Sequence, residues 1–326
     1  MHNLGQIFTI SGKEYTDAFK NILFIMLLIF LCFLVGVSLL VTAFHFNSEV
    51  SNYNAALAQL KQMGQTGAVL SKPEYYPLQM LRGTIEYLEI IGALIGIVLG
   101  YISIAKEKGN NTLQLLLTRP VSNFSIVSGK LLGNSFIVLS ALVLVFMFIL
   151  VSITGIGHVN FSLGEIVKLL LSFIFSYFYI MFFFLLSFIL SLLFKNVQNG
   201  LVFGFIIWLL VVLIIPQIGD TMDPDNSIPG GLFASMKMTK PQQNTVMAKF
   251  KVYETLRNAL EESSVEKHYE RLTFGTLGIK DIYNGKSLSV IFKDQLYNLY
   301  WLLGYFFVAI VATFLSFNRK RIFEKQ

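Results

Sequence analysis

Charge is scarce in this chain of 326 residues. Asp, Glu, Lys and Arg make up 13% of it, against about a quarter of an ordinary soluble domain, while hydrophobic residues reach 55%. So little charge cannot coat a water-soluble surface of this size, which places the chain in a membrane. Cysteine is nearly absent too. Cys32 stands alone, which excludes an intrachain disulfide, and inside an apolar run it reads as a small hydrophobe. The four histidines, His2, His45, His158 and His268, have no Cys or carboxylate at ligand spacing, so no metal site is expected. A phosphate-cradling loop needs two glycines ahead of Lys and then Ser or Thr. "IVSGKLL" supplies only Gly129-Lys130, so the chain is not expected to hydrolyse ATP. Asp220, Asp223 and Asp225 in "DTMDPDNS" lack the turn glycine and closing glutamate of a calcium loop and read as a solvated turn. No nucleophile can be paired with a base, and no repeat or low-complexity tract is visible. The expectation is a protein that is not an enzyme, with no catalytic residues, cofactor or metal.

What the chain has in abundance is continuous apolar sequence. A hydrocarbon core about 30 Å thick takes about 20 helical residues. Six stretches qualify: 22–44, 87–105, 131–154, 166–194, 200–218 and 296–317. Their apolar residues do not alternate as barrel strands would, so they are helices. The expected fold is all-α and polytopic, with six transmembrane helices and a helical extracytoplasmic insertion between the fifth and sixth. Lys13, Glu14, Asp17 and Lys20 precede a full-length span, a pattern unlike a cleavable signal. With the N-terminus inside, 11 basic residues fall on the inner segments. The outer segments, about twice as long, hold 13 that are matched by 13 acids. The positive-inside rule then puts both termini in the cytoplasm, in a multi-pass protein of the plasma membrane. Arg319, Lys320 and Arg321 directly follow a span, where they anchor to anionic lipid headgroups, so the net charge of +6 implies no nucleic acid.

The segments follow from this layout. Residues 1–20 form a cytoplasmic interfacial helix, with Ser11 and Glu14 spaced as a capping box and Phe8, Tyr15, Phe19 and Ile22 as a greasy edge. Residues 21–218 hold the first five spans, the external loop 45–86, with a helix ending at Gly64, and the cytoplasmic hairpin 106–130. Residues 219–295 form an extracytoplasmic helical domain. There Val246, Phe250, Tyr253, Leu256 and Leu260 recur at helical spacing and are expected to pack on the other external segment. Residues 296–317 are the sixth span and 318–326 a basic cytoplasmic tail.

Charges near the membrane are functional suspects. Glu86 and Glu89, three apart, share a face of the second span; Glu165 and Lys168 do so on the fourth and can pair. They either line a cavity or lie at headgroup depth. In the hairpin, Leu113, Leu116 and Leu117 line one side of a short helix starting near Thr112, which Arg119-Pro120 ends. Ser122 can cap a second helix that carries Lys130 to the membrane border.

"KEKGNNTLQLLLTRPVSNFSIVSGKLLG", after the second of six spans, resembles the cytoplasmic signature of permease subunits of the ABC type-2 exporter family. Glu107, Thr112, Leu113, Leu116, Pro120, Val121, Gly129 and Lys130 match it, and "KEYTDAFKN" resembles the family's N-terminal helix. Asn111 and Gln114 stand where relatives usually have glycine and glutamate. The resemblance implies an ATP-driven transporter in which Glu107, Thr112, Leu113, Leu116, Arg119, Pro120, Val121, Lys13 and Glu14 meet the ATPase. Two separate ATP-binding cassette subunits and a second permease subunit, like or unlike, would be its partners. The solute would be a lipid, peptide or hydrophobic compound. The alternative is a mechanotransmitter that passes ATP-driven motion to an extracytoplasmic partner protein.

Overall fold

The computed structural model describes residues 2–62, 78–109, 121–157, 161–227 and 231–317. Among them the regular structure is helical. Helix α1 (His2–Phe19) leads into α2 (Ile22–Gln62), followed by α3 (Gln79–Gly109), α4 (Asn123–Gly157), α5 (Leu163–Leu193) and α6 (Val197–Gly219). Then come α7 (Lys240–Lys249), α8 (Lys251–Glu262), α9 (Val265–Leu277) and α10 (Leu288–Ser316). Six of these, α2 to α6 and α10, are long and apolar enough to cross a membrane. The expected spans are all present, but their ends differ. No Gly or Pro interrupts residues 37–62, and "NAALAQLKQ" favours helix, so α2 continues to Gln62 as one rod.

Helices α3 and α5 form the centre. Gly96 and Gly100 of α3 lie so close to α5 that a Cβ at either would collide with the carbonyl oxygens of Ile180 and Phe184. The approach lets Ser187 Oγ donate to Ile97 O at 2.7 Å, which satisfies a hydroxyl that would otherwise be orphaned in hydrocarbon. Tyr179, Phe183, Phe184 and Phe188 are fully enclosed beside it. Helix α6 is the least covered span, with Val202, Phe203, Ile206, Leu209 and Leu210 exposed.

Two spans contain a π-helical stretch, Leu88–Gly92 in α3 and Leu209–Ile214 in α6. Wider winding turns backbone carbonyls away from their usual partners, and side chains from other helices reach them. Tyr179 Oη donates to Glu89 O (2.9 Å), Trp208 Nε1 to Ile90 O (3.2 Å) and Ser264 Oγ to Val211 O (3.1 Å).

The segment between α6 and α10 departs from a free-standing domain. Helices α8 and α9 make a hairpin, and α9 is buried against α3, α5 and α10. Tyr269 stacks on Tyr179 with centroids 4.4 Å apart, and its hydroxyl lies 2.6 Å from Ser176 Oγ. At the hairpin turn Ser263 O accepts from Tyr305 Oη, eleven residues and thus about 17 Å from the C-terminal end of α10. The turn therefore reaches well down the bundle, and Gly278 returns the chain to the opposite end, where its carbonyl meets Gln79. Among the described residues the apolar stripe expected to pack on the other external segment does not do so: Phe250, Tyr253 and Leu256 are exposed, the chain breaks at Phe250, and the buried face is supplied by α9. The acidic turn is no solvated loop either. Asp223 accepts from Arg257 at 2.5 Å and Asp225 from the Phe233 amide at 2.7 Å.

Candidate functional site

Helix α1 lies along α4, and sequence explains why it can come so close. Gly129 and Gly133, four residues apart, leave a backbone groove on α4, the small-residue spacing that lets membrane helices approach. A Cβ at Gly129 would stand 2.7 Å from Ile10 Cβ, and one at Gly133 would stand 2.7 Å from Glu14 Cβ and 2.8 Å from Ser11 O. Ile7, Ser11, Glu14 and Ala18 are buried on this face, while Leu4, Phe8 and Tyr15 point outward. The capping box expected of Ser11 and Glu14 does not form. Helix α1 starts nine residues earlier, at His2, and Glu14 has stronger partners than a backbone amide.

Those partners make a buried ionic cluster. Lys130 has no exposed surface, and its ammonium reaches Glu14 Oε1 (2.6 Å), Ser103 O (2.6 Å) and Glu107 Oε1 (3.1 Å), one acceptor for each of its three protons. Glu14 Oε2 accepts from Ser103 Oγ at 2.9 Å. Lys13 adds a second ammonium 3.2 Å from Glu107 Oε1, from a more exposed position. Asn134 Nδ2 donates to Lys130 O (2.9 Å) and approaches Ser103 Oγ (3.4 Å). Two lysines balance two glutamates, so the cluster is neutral and closed. A cavity of about 10 Å³ beside Ser103 and Asn134 is room for no more than a water. Nearby, Lys106 pairs with Asp17 at 3.6 Å, and Lys108 donates to the carbonyls of Ser191, Leu192 and Phe194, capping the C-terminus of α5.

The arrangement ties three helices together. Ser103 and Glu107 belong to the last turns of α3; Lys130 and Asn134 to the first turns of α4; Glu14 bridges both. Helix α1 is thus tied to both arms that flank residues 110–122. Of the residues expected to meet an ATPase, Lys13, Glu14 and Glu107 come together here. Val121, half-buried, leads into α4. Thr112, Leu113, Leu116, Arg119 and Pro120 lie outside the described residues, as do all of residues 110–120 of the expected hairpin. Ser122 accepts from the Ser125 amide at 3.0 Å and so caps α4. Sequence reasoning set Lys130 at the membrane border and overlooked Ser103 and Asn134; the Gly129/Gly133 spacing was the available signal that another helix docks on this turn.

The four charges read as cavity suspects divide. Glu86 pairs with Arg82 at 3.0 Å near the surface, whereas Glu89, within the π stretch, is enclosed, so the two do not share surroundings. Glu165 and Lys168 do not pair with each other among the described residues. Glu165 closes a capping box with Ser162, and Lys168 donates to Lys286 O at 3.1 Å. Of the histidines, His45 lies 3.5 Å from Glu49 and His268 is buried between Asn298 and the Glu262 carbonyl.

A search of curated proteins returns no match to this chain. A family model described as ABC-2 family transporter protein matches residues 8–322, nearly the whole sequence, and takes in α1 from Phe8 onward, all six candidate spans and the α8–α9 hairpin. The chain is a polytopic helical membrane protein and belongs to the ABC-2 transporter family.

Proposed function

We propose that this permease subunit belongs to an ATP-driven exporter and is worked from the cytoplasmic side by two separate ATP-binding subunits pressing on residues 106–130. Membership of the family implies ATP-binding partners. The observation that carries the reading is the Lys130–Glu14–Glu107 cluster, which joins α1 to both arms of the contacted segment. Force on the segment would move α1, α3 and α4 as one body, and Lys108 would pass it to α5. A conformational change needs a ligand that favours one state, and ATP held between the partner subunits is that ligand. In this orientation both termini face the cytoplasm of a plasma-membrane protein, and the α8–α9 hairpin would enter the bundle from the exit side. A second permease subunit would cover the sparsely packed α6. The cargo would be a lipid, peptide or hydrophobic compound.

The test uses the chain assembled with its ATP-binding subunits in lipid vesicles. Leu116→Asp combined with Arg119→Asp should leave membrane insertion and basal ATP hydrolysis intact while abolishing solute movement. Unchanged coupling, or full activity in a preparation free of any nucleotide-binding companion, refutes the reading.

A second reading is favoured by the exposed stripe on α8, where Val252 is 70% and Tyr253 is 53% accessible. An extracytoplasmic partner seated there would receive the motion with no solute crossing. Vectorial uptake into inverted vesicles distinguishes the exporter; ATP hydrolysis gated by the partner alone distinguishes the transmitter.

A further inference from the structure

Glu89 is 93% buried, and its Oε1 has no hydrogen-bond partner among the described residues. It stands in the π stretch of α3, whose widened backbone presents the Glu89 carbonyl to Tyr179. The groups facing it are mostly of its own sign. Glu266 and Glu270 come from α9, and Glu86 from its own helix, with the phenols of Tyr179 and Tyr269 packed alongside. Lys267 is the basic group in this set, and Glu270 engages it at 2.7 Å. A carboxylate held at such depth without a partner is costly unless something cancels its charge. No group of three His, Cys, Asp or Glu able to hold a metal ion comes together among the described residues. The species that fits so enclosed an oxygen is a proton.

We propose that Glu89 is a proton-binding site, protonated while α9 is seated against α3 and ionised when the α8–α9 hairpin lifts and admits water. The hairpin is the half of this contact that would move, and lifting it breaks the bonds from Ser264 to Val211, Tyr305 to Ser263, Tyr269 to Ser176 and His268 to Asn298 together with the Tyr179–Tyr269 stack. Each lift of the hairpin would then release a proton from Glu89, and each return would take one up. The proposal concerns the chain by itself and stands independently of how ATP-binding subunits engage it.

Trp208 is a built-in reporter, since its indole nitrogen donates to Ile90 O, one residue from Glu89. The chain has two tryptophans, so Trp301→Phe leaves Trp208 alone. In lipid nanodiscs, with no nucleotide or partner, the emission of this variant should show one reversible transition on pH titration. Adding Glu89→Gln should abolish the transition and fix the emission at the acid limit. Exchanging sodium for choline should leave it in place. Glu266→Gln, which keeps Glu89 but removes a like charge, should move the midpoint to lower pH by about one unit. This second variant decides the matter if Glu89→Gln does not fold. Absence of a transition in the parent, its survival in Glu89→Gln, an unmoved midpoint in Glu266→Gln, or its loss in choline would each overturn the proposal.

Discussion

Lys130 Nζ lies 2.6 Å from Glu14 Oε1, although 116 residues separate them in sequence and the lysine has no exposed surface. A buried pair of this kind is costly to break from one side, by about 3–5 kcal/mol, because the abandoned charge has nowhere to go. Lys130→Ala should therefore lower the melting temperature of the purified chain sharply. Glu14→Gln with Lys130→Met, which withdraws both charges and keeps the volume, should recover much of the loss. Equal melting of Lys130→Ala and the parent would show that the pair does not hold α1.

Gly133→Ala tests the same contact by size alone. Its new methyl would meet Glu14 Cβ and the rigid backbone oxygen of Ser11, so α1 has to move. Overpacking of this sort costs about 1–3 kcal/mol. Spin labels at Thr9 on α1 and Phe136 on α4 should report a longer or broader distance in the variant; an unaltered distribution would mean that the groove is looser than the structure has it.

At the hairpin, Tyr269→Phe removes the hydroxyl bonded to Ser176, whose own hydroxyl keeps the Ser172 carbonyl. The loss should be about 0.5–1.5 kcal/mol, whereas Tyr269→Ala, which also forfeits the stack on Tyr179, should cost about 3–5 kcal/mol. Burial raises the Tyr269 phenol above the ordinary tyrosine range. The folded state therefore keeps a proton that the unfolded chain sheds near pH about 10, and stability falls as pH rises past that point. Tyr269→Phe should remove this share of the alkaline slope, which denaturation curves at two alkaline pH values will show.

Tyr253→Glu with Leu256→Glu should change the melting of the isolated chain little, within about 0.5 kcal/mol per site, because both side chains are already about half exposed. If a partner covers α8, the same double variant should lose that partner on size-exclusion analysis of the full assembly. A large drop in melting would show that the stripe is packed within the chain after all.

Much of this was legible beforehand, and the parts that were not share a cause. Six spans declare themselves because continuous apolarity over about 20 residues is a one-dimensional property. Ser122 as a cap is equally local. The partners of Glu14 are not: Ser11-x-x-Glu14 satisfies a helix-start pattern, yet a lysine ammonium brought in by another helix outcompetes a backbone amide for the carboxylate. The helical spacing of Val246, Phe250, Tyr253, Leu256 and Leu260 marks residues 219–295 as a helical segment, but it does not reveal that α9 packs on the spans. Arg257 with Asp223 and Glu261, Arg271 with Glu261, and Lys267 with Glu270 neutralise one another, which lets a charged sequence pack among spans. Pairings between distant residues leave no trace in composition or period.

The two π stretches give the bundle slack. Each stores one residue beyond what an α-helix of the same length would use, so rewinding one as α-helix lengthens that rod by about 1.5 Å and turns everything beyond it by roughly a quarter of a revolution. Both stretches lie where Glu89, Ile90 and Val211 are gripped through their carbonyls by other helices. A shove arriving along α3 from the Lys130 end can thus be absorbed or released as rotation at those grips, with the hydrocarbon-facing remainder of each rod left wound as it was.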